Sequence, residues 1–144
     1  QAARVSSAAA RRTLERLSAA YDLFLDVDSC SPLRRLALQL SNMTFWTCLP
    51  QRAHFDAAAA ALKGGATGTA PTVLVVNQSN MPGALEAEDM SPFLRRIPSS
   101  DCRWMPHERR IPELTNRGKL VVLEEPHSDW VRALRPLLGH LLES

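Results

Sequence analysis

The chain has 144 residues, of which 45% are hydrophobic, so it suits a single domain with a buried core and excludes a wholly disordered protein. Its 17 basic and 15 acidic residues leave a net charge of +2, which argues against a strong nucleic-acid-binding or membrane-binding field. No apolar run approaches the ~20 residues that cross a bilayer. Cys30, Cys48 and Cys102 lie too far apart for a CxxC pair, and this spacing suits a reducing compartment.

These bounds predict a cytoplasmic protein with no specific nucleic-acid partner and no membrane association. The sequence begins at Gln1, without a Met and without a signal-peptide pattern. We therefore expect a processed or excised piece of a longer protein.

The amino-terminal part of the chain predicts three helices and two strands. Ala2–Ala20 is rich in Ala, Leu and Arg, which favours a helix with its arginines toward solvent. In Tyr21–Asp28 the apolar residues Leu23, Leu25 and Val27 alternate with Phe24, Asp26 and Asp28, which predicts a strand. Pro32–Leu40 predicts a helix with proline in its first turn. Met43–Leu49 predicts a second strand, and the Ala-rich Gln51–Lys63 predicts a helix that the following glycines end.

The chain is organised around a short apolar run, Val73–Val76, which predicts a strand buried on both faces. Pro71 precedes the run, and the polar cluster Asn77–Asn80 follows it. Ligands of open α/β sheets bind outside the carboxyl ends of the strands, so Asn77 is a candidate binding residue. The alternative is that Asn77 only begins a turn.

Five further elements are predicted after this strand. They are a helix at Asp89–Arg96, a strand at Cys102–Met105, a helix at Arg109–Asn116 ended by Gly118, a weak strand at Leu120–Leu123, and a last helix at His127–Leu142. Strands that alternate with helices indicate a parallel sheet flanked on both faces. We therefore expect residues 1–144 to form one α/β domain, with a doubly wound, mostly parallel sheet and helices on both faces.

The last helix carries an apolar stripe, and we expect Leu134 and Leu138 to be buried against the sheet. The stripe consists of Val131, Leu134, Leu138, Leu141 and Leu142. A membrane-lying helix is the alternative, but Pro136 would kink it.

Lys63–Thr69 is similar to a phosphate-binding loop, but its context is reversed. Such a loop leaves a strand and opens a helix, because the free N–H groups of the helix end hold the phosphate. Here the glycines follow a predicted helix and precede a strand, and the final Lys of the motif is missing. We interpret the segment as a connection.

Few other residues form a pattern with chemical meaning. Asp26 and Asp28 lie at i and i+2 of the first predicted strand, so they could share a cation; the alternative is that they are merely exposed. The four histidines have no metal-ligand spacing, and no serine lies in a nucleophile elbow. A hydrolase triad is therefore not supported.

The order of these segments resembles the carboxy-terminal part of the MinD/ParA-type deviant Walker ATPases, in particular their CpaE-like and septum-site-determining branch. YDLFLDVDSCSP resembles the Walker B strand and its turn, and SNMTFWTCLPQRAHFDAAAAALKG resembles the next strand and helix. VLVVNQSN is similar to the strand that ends in a base-contacting Asn. The stretch from MPHERR to HLLES resembles the closing pattern of the family. The resemblance covers nearly all of residues 21–144 and implies a partial P-loop NTPase-like domain.

The resemblance implies a nucleotide site with ATP and Mg²⁺ as the cofactors of the family. Asn77 would contact the adenine edge, and Pro106, His107 and Glu108 would line the base. Asp28 would lie near Mg²⁺ through water, although Val27 occupies the position of the Walker B acid, so that either Asp26 or Asp28 could take its role. The phosphate loop of that family lies upstream of the matched region. We therefore expect this chain alone to hydrolyse no ATP and to retain neither cofactor.

The resemblance further implies a role in positioning a septum, a pilus or a similar assembly. The alternative is a degenerate, non-catalytic ATPase-like scaffold that binds proteins. The expected partners are components of a division or secretion apparatus. Because strands 23–28 and 44–49 would have open edges, we also expect them to pair with each other, with a second copy or with an upstream segment.

Overall fold

The computed structural model describes residues 6–28, 31–63, 70–99 and 101–142. This part of the chain forms three strands and seven helices. They are α1 (Ser7–Ser18), α2 (Arg34–Leu40), β1 (Thr44–Cys48), α3 (Arg52–Lys63), β2 (Thr72–Asn77), α4 (Ala87–Leu94), β3 (Asp101–Met105), α5 (Arg110–Asn116), α6 (Val121–Glu124) and α7 (Asp129–Leu142). Strands and helices alternate from β1 to β3.

The three strands form one parallel sheet in the order β1-β2-β3. Thr44 of β1 lies opposite Thr72 of β2, and Val73 of β2 lies opposite Asp101 of β3. The predicted α/β class is therefore confirmed. Within the described residues the strand order follows the chain without reversal, so the doubly wound arrangement stays a prediction.

One face of the sheet is covered by α3 and α4. Parallel strands need a crossover, and the helices α3 and α4 supply the two crossovers on the same side. Phe55 and Leu62 of α3 and Met90 of α4 pack with Leu74 and Val76 of β2 in a single buried cluster. Phe55 also stacks on Phe93, with ring centroids 6.0 Å apart. This face contains most of the core.

The opposite face is covered by α7, but with a different register from the one predicted. Val131 is buried, and Leu137 packs against Val73 and Val75 and is 7% exposed. Leu134 is partly buried against this cluster. The prediction for Leu138 is wrong, because its side chain is 46% exposed.

The strand predicted at Tyr21–Asp28 is not formed. Residues 22–28 have no regular secondary structure, and β1 pairs only with β2. Phe24 is 77% exposed and Tyr21 is exposed as well. Without a partner strand the backbone groups of this segment gain no ladder hydrogen bonds, so alternation alone does not produce a strand. Of the three alternatives predicted for 23–28 and 44–49, direct pairing with each other is therefore not formed, and pairing with a second copy or with an upstream segment stays a prediction.

The weak strand predicted at Leu120–Leu123 is also wrong, because this segment forms the single helical turn α6. Glu124 N–H donates to Leu120 C=O at 3.1 Å, and Glu125 N–H donates to Val121 C=O at 2.8 Å. Lys119 Nζ lies 3.1 Å from Glu124 Oε2 across the turn. Local hydrogen bonds and an ion pair therefore replace the missing strand partner.

The helices otherwise agree with the predictions to within a few residues. Ser6 Oγ accepts the Ala9 N–H at 3.1 Å and caps α1. Gly118, at φ +66°, ends α5, where Lys119 N–H donates to Leu114 C=O at 2.9 Å. No helix within the described ranges is long and apolar enough to cross a membrane.

Candidate functional site

The carboxyl ends of the three strands lie at one edge of the sheet, and their loops are linked there. Leu85 N–H, in the loop after β2, donates to Pro50 C=O, in the loop after β1, at 3.0 Å. Ser79 N–H donates to Met105 C=O, at the end of β3, at 3.0 Å. The loops that follow all three strands are thus joined by backbone hydrogen bonds.

Asn77 lies at this edge as the last residue of the central strand, opposite Met105 of β3. Its side chain is half-buried, and its Oδ1 accepts the N–H of Gln78 at 3.0 Å. This local bond fixes the side-chain amide relative to the strand. An amide oxygen has two lone pairs and the amide nitrogen has two N–H donors, so Asn77 keeps both acceptor and donor capacity for a ligand.

Gln78 adopts a left-handed backbone conformation directly after Asn77, with φ +58°. A residue with a Cβ is disfavoured there by about 1–2 kcal/mol, and such positions cluster at functional sites. The turn is completed by Met81 N–H, which donates to Gln78 C=O at 3.1 Å. The strand therefore ends in a sharp, defined turn, as the cluster Asn77–Asn80 predicted.

The loop after β3 lies beside this turn. His107 N–H donates to Asn80 Oδ1, and Arg110 N–H donates to Glu108 Oε1 at 3.0 Å. Pro106, His107 and Glu108 are each half-buried. The structure thus brings all four predicted base-side residues to one edge, Asn77 at the end of β2 and Pro106–Glu108 in the loop after the neighbouring β3.

Sequence reasoning missed the role of Asn80. The residue belongs to the polar cluster that marked the end of β2, but its partner His107 lies 27 positions away in the sequence. Only the parallel pairing of β2 with β3 brings the two residues together. No local signal could have shown this contact.

The predicted acidic pair does not form part of this edge. Asp26 and Asp28 lie in the exposed segment before α2, outside the sheet, and not on a strand face as predicted. Asp26 instead borders an apolar cavity of about 520 Å³ between α1 and α2. No group of three acidic, His or Cys side chains suited to a metal ion occurs among the described residues. That Asp26 or Asp28 lies near Mg²⁺ stays a prediction.

The elements on either side of the glycine loop after α3 support our interpretation that this loop is not a phosphate-binding motif. Helix α3 ends at Lys63 and strand β2 begins at Thr72, so the order is helix, loop, strand. The loop residues 64–69 themselves lie outside the described residues. No phosphate cradle of the strand-to-helix kind is formed by the elements on either side.

Two thiols lie on the α3/α4 face of the sheet, where Cys48 is buried and Cys102 is half-buried. Burial, with a smaller contribution from the nearby Cys102, raises the pKa of Cys48 to about 12. Burial, and then the charge of Asp101, raises the pKa of Cys102, while Arg103 lowers it. Nucleophilic catalysis needs a thiolate, so neither residue suits it. Cys30 lies outside the described residues.

The remaining polar candidates have structural roles. His54 Nδ1 accepts the Leu49 N–H at 3.4 Å at the start of α3. Ser128 Oγ accepts the Val131 N–H at 3.3 Å in the first turn of α7. Both side chains thus accept a backbone N–H near the start of a helix.

The sequence matches no protein-family model, and it matches no curated protein. A functional assignment therefore rests on the geometry of the sheet edge.

Proposed function

We propose that this chain is the carboxy-terminal portion of a MinD/ParA-like domain and supplies the base-side wall of a purine nucleotide site. One observation carries the proposal: Asn77 and Pro106–Glu108 lie on neighbouring strand ends, and two hydrogen bonds join their loops. The positions named by the resemblance are far apart in the sequence but adjacent at the carboxyl edge, where α/β sheets bind ligands.

The chemistry of the edge suits an adenine ring. An Asn amide can donate to one ring nitrogen and accept from the exocyclic amine of adenine, and Asn77 retains both capacities. Pro106 offers a half-buried apolar surface on which a base can lie. The left-handed turn at Gln78 fixes the Asn77 side chain before the ligand arrives, which lowers the entropy lost on binding.

The described part of the chain would give the phosphates of ATP no comparable support. Asp26 and Asp28 lie outside the sheet, and the loop after α3 has the wrong order of elements for a phosphate cradle. We therefore propose binding without hydrolysis by the isolated chain. Binding by base contacts alone corresponds to a Kd of about 1 mM or weaker, or roughly 4 kcal/mol.

An NMR titration of the 144-residue chain with adenosine tests this proposal. We expect the largest shifts at the amides of Asn77–Asn80, His107 and Glu108, and we expect Asn77→Ala to weaken binding about tenfold, because the hydrogen bonds to the base are lost. Asn42→Ala is the matched control, since Asn42 is exposed and precedes β1 at the opposite edge of the sheet. Unchanged binding by Asn77→Ala would contradict the proposal.

The cellular role that follows from this proposal is the positioning of a septum, a pilus or a similar assembly, with proteins of a division or secretion apparatus as partners. The intact gene gives a direct test. A KGGxGKT loop encoded upstream of Gln1 is the expected finding for an ATPase of this family, and a disrupted loop favours the scaffold.

A second candidate, the non-catalytic scaffold, is favoured by the segment 21–28. In the described residues this segment leaves Phe24 exposed and β1 paired on one side only, so apolar surface and backbone donors are available to another chain. Light scattering on the purified 144-residue chain tests whether a second copy of the chain is this partner. A concentration-dependent dimer supports this candidate, and a strict monomer argues against it.

A further inference from the structure

The loop after β3 has few backbone groups with which to hold its position at the proposed base site. Pro106 has no N–H, so the first backbone donor after Met105 is the N–H of His107. That N–H donates to the side chain of Asn80, not to another backbone group. The Arg110 N–H, at the start of α5, donates to Glu108 Oε1 and so does not reach the loop after β2.

The connection between the two loops therefore depends on one side chain. The backbone bond from Ser79 to Met105 joins the loops at the strand end, before Pro106 begins. Beyond that point, the described part of the chain shows one hydrogen bond from the loop after β2 to residues 106–108, and Asn80 Oδ1 accepts it. Asn80 is itself exposed, so the contact adds little to the buried core.

We infer that Asn80 is a positioning residue that holds the Pro106–Glu108 loop against the Asn77 side-chain amide. The inference rests on the proposed function, since the loop that Asn80 holds is the proposed wall of the base site. Asn80 need not touch the base. Its oxygen fixes the His107 N–H, and thereby sets the distance between the two sides of the site.

Two substitutions at Asn80 distinguish a role in positioning the loop from a contribution to the stability of the whole fold. Asn80→Ala removes the acceptor. Asn80→Asp keeps an acceptor oxygen in nearly the same place, so it should restore the contact. Adenosine is the probe, because a neutral ligand does not respond directly to the charge that Asp introduces.

Amide exchange at His107 and the affinity for adenosine, both measured by NMR on the 144-residue chain, test the inference. Loss of one hydrogen bond corresponds to about a tenfold change. We expect Asn80→Ala to speed His107 exchange about tenfold and to weaken adenosine binding several-fold, with the thermal midpoint unchanged. We expect Asn80→Asp to restore both quantities, and Asn42→Ala to change neither.

Three results would overturn the inference while the proposed function stands. The first is unchanged His107 exchange in Asn80→Ala, and the second is unchanged adenosine affinity in that variant. The third is a failure of Asn80→Asp to restore either quantity. If the unmodified chain does not bind adenosine, the proposed function is contradicted. The role of Asn80 at a base site is then contradicted as well. The exchange rate at His107 distinguishes these cases because it needs no ligand.

Discussion

Two segments of this chain carry similar strand-like patterns, yet only one forms a strand. Thr72–Asn77 pairs with a parallel strand on each side and is covered by helices on both faces. Residues 21–28 pair with no strand, and their most exposed large hydrophobic side chain, Phe24, is 77% exposed. The difference lies in the surroundings: partners on both edges and cover on both faces make an apolar run into a strand.

The largest expected effect comes from truncating one leucine of the central strand. Leu74 is 0% exposed, so Leu74→Ala leaves a cavity between β2 and the helices α3 and α4. We expect a loss of about 3–5 kcal/mol in the free energy of unfolding, measured by urea denaturation. The matched change Phe24→Ala should cost under about 0.5 kcal/mol. A comparable loss in both variants would mean that residues 21–28 are buried in solution.

Thiol reactivity gives a second contrast, between the buried end of β1 and the exposed residues 21–28. Burial raises the pKa of Cys48 from 9.0 to about 12, so the thiolate fraction at pH 8 falls roughly 1000-fold. In a background with Cys30→Ser and Cys102→Ser, we expect Cys48 to resist iodoacetamide at pH 8. A thiol introduced by Leu25→Cys, with Cys48→Ser, should react at nearly the rate of a free thiol. Equal rates at the two positions would contradict the contrast.

The same pKa shift sets a dependence of stability on pH. The folded-state pKa of Cys48 lies above its ordinary value of 9.0, so its contribution to stability is fully present below pH 9. The contribution is lost as the pH rises toward 12. Cys48→Ala should therefore flatten the alkaline limb of a stability-against-pH curve, and an unchanged limb would contradict the assignment.

A smaller contrast separates two adjacent residues of α7. Leu137 is 7% exposed against Val73 and Val75, whereas Leu138 is 46% exposed. We expect Leu137→Ala to lower the free energy of unfolding by about 2–3 kcal/mol, and Leu138→Ala by less than about 1 kcal/mol. A larger loss for Leu138→Ala than for Leu137→Ala, in thermal or urea denaturation, would mean that α7 has the register first predicted from its apolar stripe.

Much of the fold was predictable because its signals are local. The apolar run Val73–Val76 gave β2, and the Ala-rich Gln51–Lys63 gave α3 to within one residue. Gly118 ended α5 as predicted, since a left-handed residue is needed there. The rotation of α7 was not predictable to one residue, because Leu137 and Leu138 are both apolar and only the sheet decides which of them is buried.

The candidate site shows the same division between local and non-local information. The polar cluster Asn77–Asn80 is visible in the sequence, and so is its place at the end of a buried strand. The contact of Asn80 with His107 depends on the pairing of β2 with β3. Asp26 and Asp28 do not share a strand face, because the strand that was to carry them is not formed.

The most direct test of the account compares the affinities of the 144-residue chain for adenosine and for Mg-ATP by calorimetry or NMR. If the loops after β2 and β3 contact only the base, the phosphates add no favourable contact. We predict two Kd values within about threefold of each other, both about 1 mM or weaker. A micromolar Kd for Mg-ATP, far tighter than that for adenosine, would contradict the account by requiring a phosphate site in this chain.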